Sequence, residues 1–375
     1  MKIMTIVGTR PEIIRLSEVI KVLDNCSNHV LVHTGQNYDY ELNEIFFKDL
    51  DLRDPNYFLE AAGKSSCDTV GAVISKSYDL MKKEMPDAVL VLGDTNSCMS
   101  VYSAKRLKIP TFHMEAGNRC FDQRVPEEIN RRLVDHIADI NLPYSEPAKL
   151  NLLREGLPSD LVLKTGSPMK EVLGSQIEKI KKSQILSSMN IKKDHFFLVS
   201  LHREENVNNS KRFLAFIEML NGLAKNYKIP VIVSTHPRTR NELDKINIEI
   251  NPLIEFLKPL SFSDYNSLQV NSKVVLSDSG TISEESAILG FKAINLRDTH
   301  ERPEAMEFGI VPFVKPELKN IITAINLIEN THHNSSFNNC LVPDYDIDNC
   351  SKTVAKIILS YPSYIQRVIW GNKSD

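Results

Sequence analysis

Ile3-Met4-Thr5-Ile6-Val7-Gly8-Thr9-Arg10-Pro11-Glu12 opens the chain with an apolar run, a polar turn carrying a glycine, and a proline placed for a first helical position. The run lacks the alternation of a half-exposed strand, which is the pattern of a strand buried on both faces. Glu12–Leu23 follows with helical spacing, so the stretch reads strand, turn, helix. The same order recurs downstream. Val30–Val32, Ala88–Leu92, Thr111–Met114, Phe196–Leu201, Val231–Val233, Val274–Leu276 and Ala293–Leu296 are short apolar runs. Cys67–Lys83, Glu127–His136, Lys211–Lys225 and Thr281–Leu289 have helical spacing between them. Such alternation predicts an α/β protein with parallel sheets and helices on both faces.

The chain has 375 residues, which at ~150 per domain suggests two domains. Hydrophobic residues make up 42% and charged residues 25%, which excludes a disordered or collagen-like chain. The net charge of −3 carries no basic excess, so no nucleic-acid partner is expected. An anionic ligand must then be met by a few placed arginines or by helix N-termini. The six cysteines form no Cys-x-x-Cys pair, which fits a reducing compartment. The N-terminal apolar run is too short for a signal peptide, and nothing approaches the ~18 apolar residues of a membrane span. A cytoplasmic protein with no membrane partner is expected.

A join is expected near residue 167, where Thr165-Gly166-Ser167-Pro168 precedes a Lys- and Ser-rich stretch. Ligands of open parallel sheets sit at the C-terminal strand edges. Polar turns are concentrated there: Gly8-Thr9-Arg10, Gly93-Asp94-Thr95, Glu115-Ala116-Gly117, His202-Arg203, His236-Pro237-Arg238 and Asp278-Ser279-Gly280. They predict one large polar site between two domains.

Each constellation has a bland reading beside the functional one. Gly8-Thr9-Arg10-Pro11-Glu12 is either an ordinary βα turn or a diphosphate site at a helix start. In Asp278-Ser279-Gly280-Thr281-Ile282-Ser283-Glu284-Glu285, Ser279 or Thr281 is placed to cap the next helix. The alternative has Ser279, Gly280 and Thr281 cradling phosphate while Glu285 holds ribose hydroxyls. Asp94 and Glu115 end two successive strands, so their carboxylates are placed to converge, with Glu127 at the rim at a helix start after Pro126; the readings are acid/base work, a metal site, or, for a strand-end Asp alone, a structural role. His202 and His236 end strands of the second half, and Arg302 is a candidate charge clamp. No metal-ligand spacing stands out, and neither a metal nor a cofactor is expected. No nucleophile elbow is present.

Taken together, Gly8-Thr9-Arg10-Pro11-Glu12, Gly93-Asp94-Thr95, His113-Met114-Glu115-Ala116-Gly117, Pro126-Glu127-Glu128-Ile129-Asn130-Arg131, Asp278-Ser279-Gly280 and Glu301-Arg302-Pro303-Glu304 resemble the non-hydrolysing UDP-N-acetylglucosamine 2-epimerase family. The resemblance runs in order from residue 3 to about residue 305. It implies two Rossmann-like domains in the GT-B arrangement, with the active site in the interdomain cleft. The first domain would span 1–167, completed by a C-terminal helix at 356–375, and the UDP-binding domain 168–355. A homodimer is implied as well. So is a reaction without redox cofactor: UDP leaves C1 as the C2 proton is removed, and UDP re-adds to the glycal after protonation on the other face. Position by position, the resemblance makes Asp94, Glu115, Glu127 and His202 catalytic. It makes Arg10, Arg15, His236, Ser279, Gly280, Glu285 and Arg302 substrate-binding, places Arg131 near the diphosphate and sets Tyr265 by the uracil.

The sequence departs from the ordinary family pattern in places. Arg15 stands where a lysine is usual, Thr281 replaces a glycine, and Asn37-Tyr38 replaces a His-Arg pair that helps bind an activating second UDP-sugar. Gly35-Gln36-Asn37-Tyr38-Asp39-Tyr40, Asn118-Arg119-Cys120-Phe121-Asp122-Gln123-Arg124 and Leu201-His202-Arg203-Glu204-Glu205-Asn206 resemble a branch that makes UDP-N-acetyl-L-fucosamine from UDP-2-acetamido-2,6-dideoxy-L-talose (UDP-N-acetyl-L-pneumosamine) in capsule or O-antigen synthesis. The alternatives are an ordinary UDP-N-acetylglucosamine/UDP-N-acetylmannosamine 2-epimerase, a GT-B glycosyltransferase, and a nucleotide-sugar sensor without catalysis.

Overall fold

The computed structural model describes the chain except residues 37–39, 202–209, 236–242, 244–247, 259, 298–300, 332–334 and 373–375, and the side chains of 40–44 and 210–212. The expected positions Asn37, Tyr38, His202 and His236 therefore lie outside the described residues. The chain forms two compact units, Met1–Leu173 with Ile347–Asp375, and Gly174–Asp346.

The first unit runs β1 (Lys2–Val7), α1 (Arg10–Cys26), β2 (Asn28–His33), α2 (Tyr40–Asp49), β3 (Tyr57–Phe58), α3 (Ser66–Glu84), β4 (Ala88–Leu92), α4 (Ser100–Arg106), β5 (Thr111–Met114), α5 (Pro126–Ile137), β6 (Ile140–Leu142) and α6 (Glu146–Arg154). α7 (Met169–Lys182) leads out of it. Its six strands are all parallel, in the order β3-β2-β1-β4-β5-β6. The order reverses between β1 and β4, so the turns after these strands flank the crevice where such sheets bind ligands. α1 forms because Pro11 pre-sets its first turn and Ile13, Leu16, Val19, Ile20 and Leu23 recur on one face, which is buried. Met4, Ile6, Val30, Val32, Val89 and Val91 pack with Leu80 and Met81 of α3 to make one core.

The second unit runs α8 (Ile185–Ser188), β7 (Phe197–Ser200), α9 (Ser210–Tyr227), β8 (Val231–Ser234), β9 (Ile254–Leu257), α10 (Phe262–Asn271), β10 (Val274–Ser277), α11 (Ile282–Leu289), β11 (Ala293–Asn295), α12 (Pro303–Glu307) and α13 (Leu318–Thr331). Its five parallel strands are ordered β11-β10-β7-β8-β9. Here the reversal falls between β7 and β10. Phe213, Phe216, Leu220 and Leu223 of α9 close the core over Phe197, Val199, Val231 and Val233.

After the second unit the chain returns to the first through α14 (Cys350–Ser360) and α15 (Pro362–Val368). α14 packs against α1 and buries Val354, Ala355 and Ile358. Its start is tied down by the Ser351 N–H, which donates to Glu171 Oε2 at 2.8 Å, and by the Cys350 thiol, which donates to the Gly166 carbonyl at 3.4 Å.

The eight strands and five helices expected from the runs are present, with ends shifted by up to three residues. Three strands are additional: β3, β6 and β9. All three lie at sheet edges, where a strand needs only a short or half-buried run.

Candidate active site

In the first unit, two carboxylates at strand ends each face a buried arginine. Glu115 follows β5 and its Oε2 lies 2.6 Å from Arg15 NH1 of α1. Arg15 is buried, and its guanidinium stands 5.7 Å above the Tyr144 ring. Glu115 also accepts from Asn118 Nδ2 at 3.4 Å, and its backbone is left-handed at φ 63°. Asp94 follows β4 and its Oδ2 lies 2.6 Å from Arg131 NH2 of α5. Arg131 also stands 3.4 Å from Glu128. Charge-assisted pairs this short fix the orientation of both partners.

The Pro-Glu-Glu helix start divides its labour. Glu128 is buried and accepts from the Cys120 N–H at 3.0 Å and from Arg132 Nε at 3.1 Å. Glu127 beside it is exposed in the first turn of α5. Arg10 is exposed at the start of α1, its guanidinium 5.5 Å from the Phe46 ring.

In the second unit the decisive segment is the turn from β10 into α11. The expected side-chain cap is absent. Thr281 holds the N-cap position in helical geometry and makes no capping bond. Its hydroxyl lies 2.9 Å from that of Ser279, while the Thr281 N–H donates to Ser279 Oγ at 3.3 Å. The Ser279 hydroxyl thus bonds the Thr281 hydroxyl and N–H rather than the first-turn N–H groups of the helix, where an anion is favoured. The two glutamates of the first turn are both directed elsewhere. Glu284 Oε2 lies 3.3 Å from Arg302 NH2, and Glu285 Oε2 accepts from Gln269 Nε2 of α10 at 2.6 Å. A small pocket beside this turn is lined by Gly280, Ser283, Asn295, Arg297 and Arg302. Arg297 NH2 donates to Glu301 Oε1 at 2.8 Å. Tyr265 is half-buried on α10.

A family model described as UDP-N-acetylglucosamine 2-epimerase matches residues 22–359. The chain belongs to the UDP-N-acetylglucosamine 2-epimerase family. A solved structure of UDP-N-acetylglucosamine 2-epimerase from Rickettsia bellii is 47% identical, covers 99% of this chain and 100% of its own, and superposes with a TM-score of 0.92. The UDP-N-acetylglucosamine 2-epimerase of Methanocaldococcus jannaschii is 35% identical over 345 residues, 89% of this chain and 94% of the relative. A crystal structure of the Methanocaldococcus enzyme in complex with UDP-GlcNAc and UDP gives a TM-score of 0.88 at 33% identity, over 96% of this chain and 99% of that one. UDP-2,3-diacetamido-2,3-dideoxy-D-glucuronate 2-epimerase of Pseudomonas aeruginosa is 33% identical over 82% of this chain and 87% of its own. The epimerase thus has the two Rossmann-like domains of the GT-B class.

Two further residues carried no assigned role in the sequence. Arg297 stands two residues past β11, just after the apolar run Ala293–Leu296, the same strand-end position that drew attention elsewhere. Glu12 is another. Its buried carboxylate accepts from the Gly8 N–H at 3.0 Å and the Thr9 hydroxyl at 2.8 Å, and it bonds the Ser97 hydroxyl. It therefore joins the turn after β1 to the segment after β4. No cation contacts it among the described residues.

Burial pushes the Glu12 carboxyl up to about 7, against the lowering effect of its Ser97, Thr9 and Gly8 hydrogen bonds. Below the ordinary value of 4.5 both folded and unfolded chains hold the proton, and the group is neutral to stability. Between that value and about 7 the unfolded chain releases its proton while the folded one keeps it. Stability then falls as pH rises, by ~3 kcal/mol in all. Glu12→Gln keeps the shape of the neutral form and is expected to flatten this slope between about pH 5 and 8. Urea titrations of both proteins across that range check it; parallel slopes would detach Glu12 from the folding equilibrium.

Proposed function

We propose that this isomerase, a UDP-sugar 2-epimerase, interconverts UDP-N-acetyl-L-pneumosamine and UDP-N-acetyl-L-fucosamine. The observation that carries the chemistry is the pair of arginine-held carboxylates, Asp94 and Glu115, at the ends of β4 and β5. With exposed Glu127 and with His202, they supply proton donors and acceptors for the two faces of C2. Expulsion of UDP from C1 requires N–H and cationic stabilisation of the diphosphate. We assign that role to the α11 start with Ser279, Gly280 and Thr281, and to Arg10, Arg131, His236 and Arg302. Glu285 takes the ribose hydroxyls and Tyr265 lies by the uracil. Arg15 acts through its hold on Glu115.

The 6-deoxy-L-sugar assignment rests on the loops 35–40, 118–124 and 201–206. The second of these is firmly built: Arg119 donates to Asp135 and Glu155, and Cys120 donates to Glu128. A second reading, UDP-N-acetylglucosamine to UDP-N-acetylmannosamine, is favoured by the names of the Rickettsia and Methanocaldococcus relatives. Proton NMR in D2O, with each UDP-sugar offered separately and no cofactor added, decides between them. Deuterium at C2 of the L-sugar with a new talo signal supports the proposal. Exchange confined to UDP-N-acetylglucosamine replaces it with the second reading.

We assign the product to capsule or O-antigen precursor synthesis in the cytoplasm. All six cysteines are free thiols, and among the described residues no helix is long and apolar enough to cross a membrane. The active species proposed is a homodimer. Ile129 and Leu133, one turn apart on α5, and Tyr102 of α4 are large side chains left exposed. Sedimentation is expected to give twice the chain mass for the native protein and a lighter species for Leu133→Asp; a native monomer would end the proposal.

A further inference from the structure

His113 is the third residue of β5, fully buried, and lies two residues before Glu115. Its Nε2 lies 2.7 Å from the Gly93 carbonyl, the residue before Asp94. Its Nδ1 lies 2.9 Å from Asp135 Oδ1 of α5. A carbonyl only accepts, so Nε2 carries a proton. Asp135 also faces the Arg119 guanidinium at 2.7 Å and accepts from the Gly117 N–H at 3.2 Å, the environment of a carboxylate anion. The carboxylate 2.9 Å from Nδ1 stands opposite a ring already protonated at Nε2, and its buried charge favours a second proton there, the imidazolium.

The charges close into a chain. Arg119 continues through paired bonds of 2.8 and 2.6 Å to Glu155, and donates to the Asn118 carbonyl at 2.8 Å. The side chains of His113, Asp135 and Arg119 are fully buried. Two cations therefore alternate with two anions, which is the condition under which buried charge is tolerated. Burial works against the charge on His113. The Asp135 hydrogen bond and charge, the Gly93 carbonyl and Asn141 outweigh it and raise its pKa above that of an ordinary histidine.

The backbone bonds of this chain end on the two turns that bear the strand-end carboxylates. Gly93 precedes Asp94. Gly117 and Asn118 follow Glu115, and Asn118 reaches back to its Oε1. We propose that His113, as a buried imidazolium paired with Asp135, is a positioning residue that holds the Asp94 and Glu115 turns in register for proton transfer at C2. The inference rests on the reading that these two carboxylates are catalytic.

The test compares His113→Gln, Asp135→Asn and the double variant with Glu115→Gln, in the full-length protein. C2 deuterium uptake is measured with UDP-N-acetyl-L-fucosamine and, in parallel, UDP-N-acetylglucosamine; UDP binding is measured by calorimetry. For His113→Gln, kcat is expected to fall by about 10²-fold while KM and the Kd for UDP stay within about threefold, the signature of misplacement rather than lost binding. The double variant is expected to be no worse than the poorer single one, because the pair acts as a unit. A kcat within about twofold of wild type for folded His113→Gln, with Glu115→Gln inactive, overturns the inference alone. An active Glu115→Gln overturns the reading beneath it. If the variants do not fold, nitrogen NMR of histidine-labelled native protein still decides. One ring is expected to keep both nitrogens protonated at pH values where an ordinary histidine is neutral; neutral rings throughout would refute the imidazolium.

Discussion

Glu115→Gln is expected to lower C2 proton exchange by about 10³-fold while leaving UDP affinity nearly unchanged. Glutamine keeps the length and can hold the same left-handed backbone, so the change is confined to the carboxylate. On the proposed role, what is lost is an acceptor of a proton in an acid/base step, worth about 10² to 10⁴ in rate. The nucleotide contacts proposed at the α11 turn should be spared, because that turn lies in the other unit and makes its own bonds. The folded state will pay something, since Arg15 is left buried against a neutral amide in place of a carboxylate 2.6 Å away. About 1 to 3 kcal/mol is the expected loss of stability. Deuterium uptake and calorimetry on one preparation separate the two effects. Exchange within tenfold of the native rate would remove Glu115 from the chemistry.

The second large effect is structural. Gly117→Ala is expected to destabilise the protein by roughly 4 kcal/mol, and Gly93→Ala by only about 1 to 2. Both glycines have a left-handed backbone, φ 82° and 79°. They differ in the space around them. A Cβ at Gly93 meets nothing within 4 Å, so only backbone strain is felt. A Cβ at Gly117 would overlap the carbonyl oxygen of Ala148, which is backbone of α6 and cannot rotate aside. The Gly117 N–H would be pulled from Asp135 in the same movement. Thermal unfolding should show a drop on the order of ten degrees for the first and a few degrees for the second. Equal shifts would show that strain alone matters at both sites.

Much of this architecture was legible because buried parallel strands write themselves as continuous apolar runs. β1, β4, β5, β7, β8 and β10 lie inside their sheets, and each was read from such a run. β3, β6 and β9 were not. β3 has two residues and β9 carries exposed Glu255, so neither shows the pattern of burial on two faces. Site residues followed the same logic. Asp94, Glu115 and Ser279 were singled out because a polar residue after a buried strand points to a ligand edge, and the fold places each just past a strand end. Their supports were not legible. Nothing local in the sequence joins Arg15 to Glu115, His113 to Asp135 or Glu12 to Ser97, since those pairs meet only once the sheet is assembled. The Ser279–Thr281 turn shows the converse. Its residue types favour a helix cap, and the fold uses the hydroxyls on each other.

The return of the chain to the first unit sets an order of events during synthesis. α1 is made near the start, and α14, which covers it, is made more than three hundred residues later. The second unit is one unbroken stretch, Gly174–Asp346, and emerges whole in between. At translation speeds of about 5 to 20 residues per second, the apolar surface that α14 will cover waits roughly 15 to 65 s on the ribosome. The unit begun first is thus the one completed last. A nascent chain of this topology has reason to engage a chaperone on its early segment.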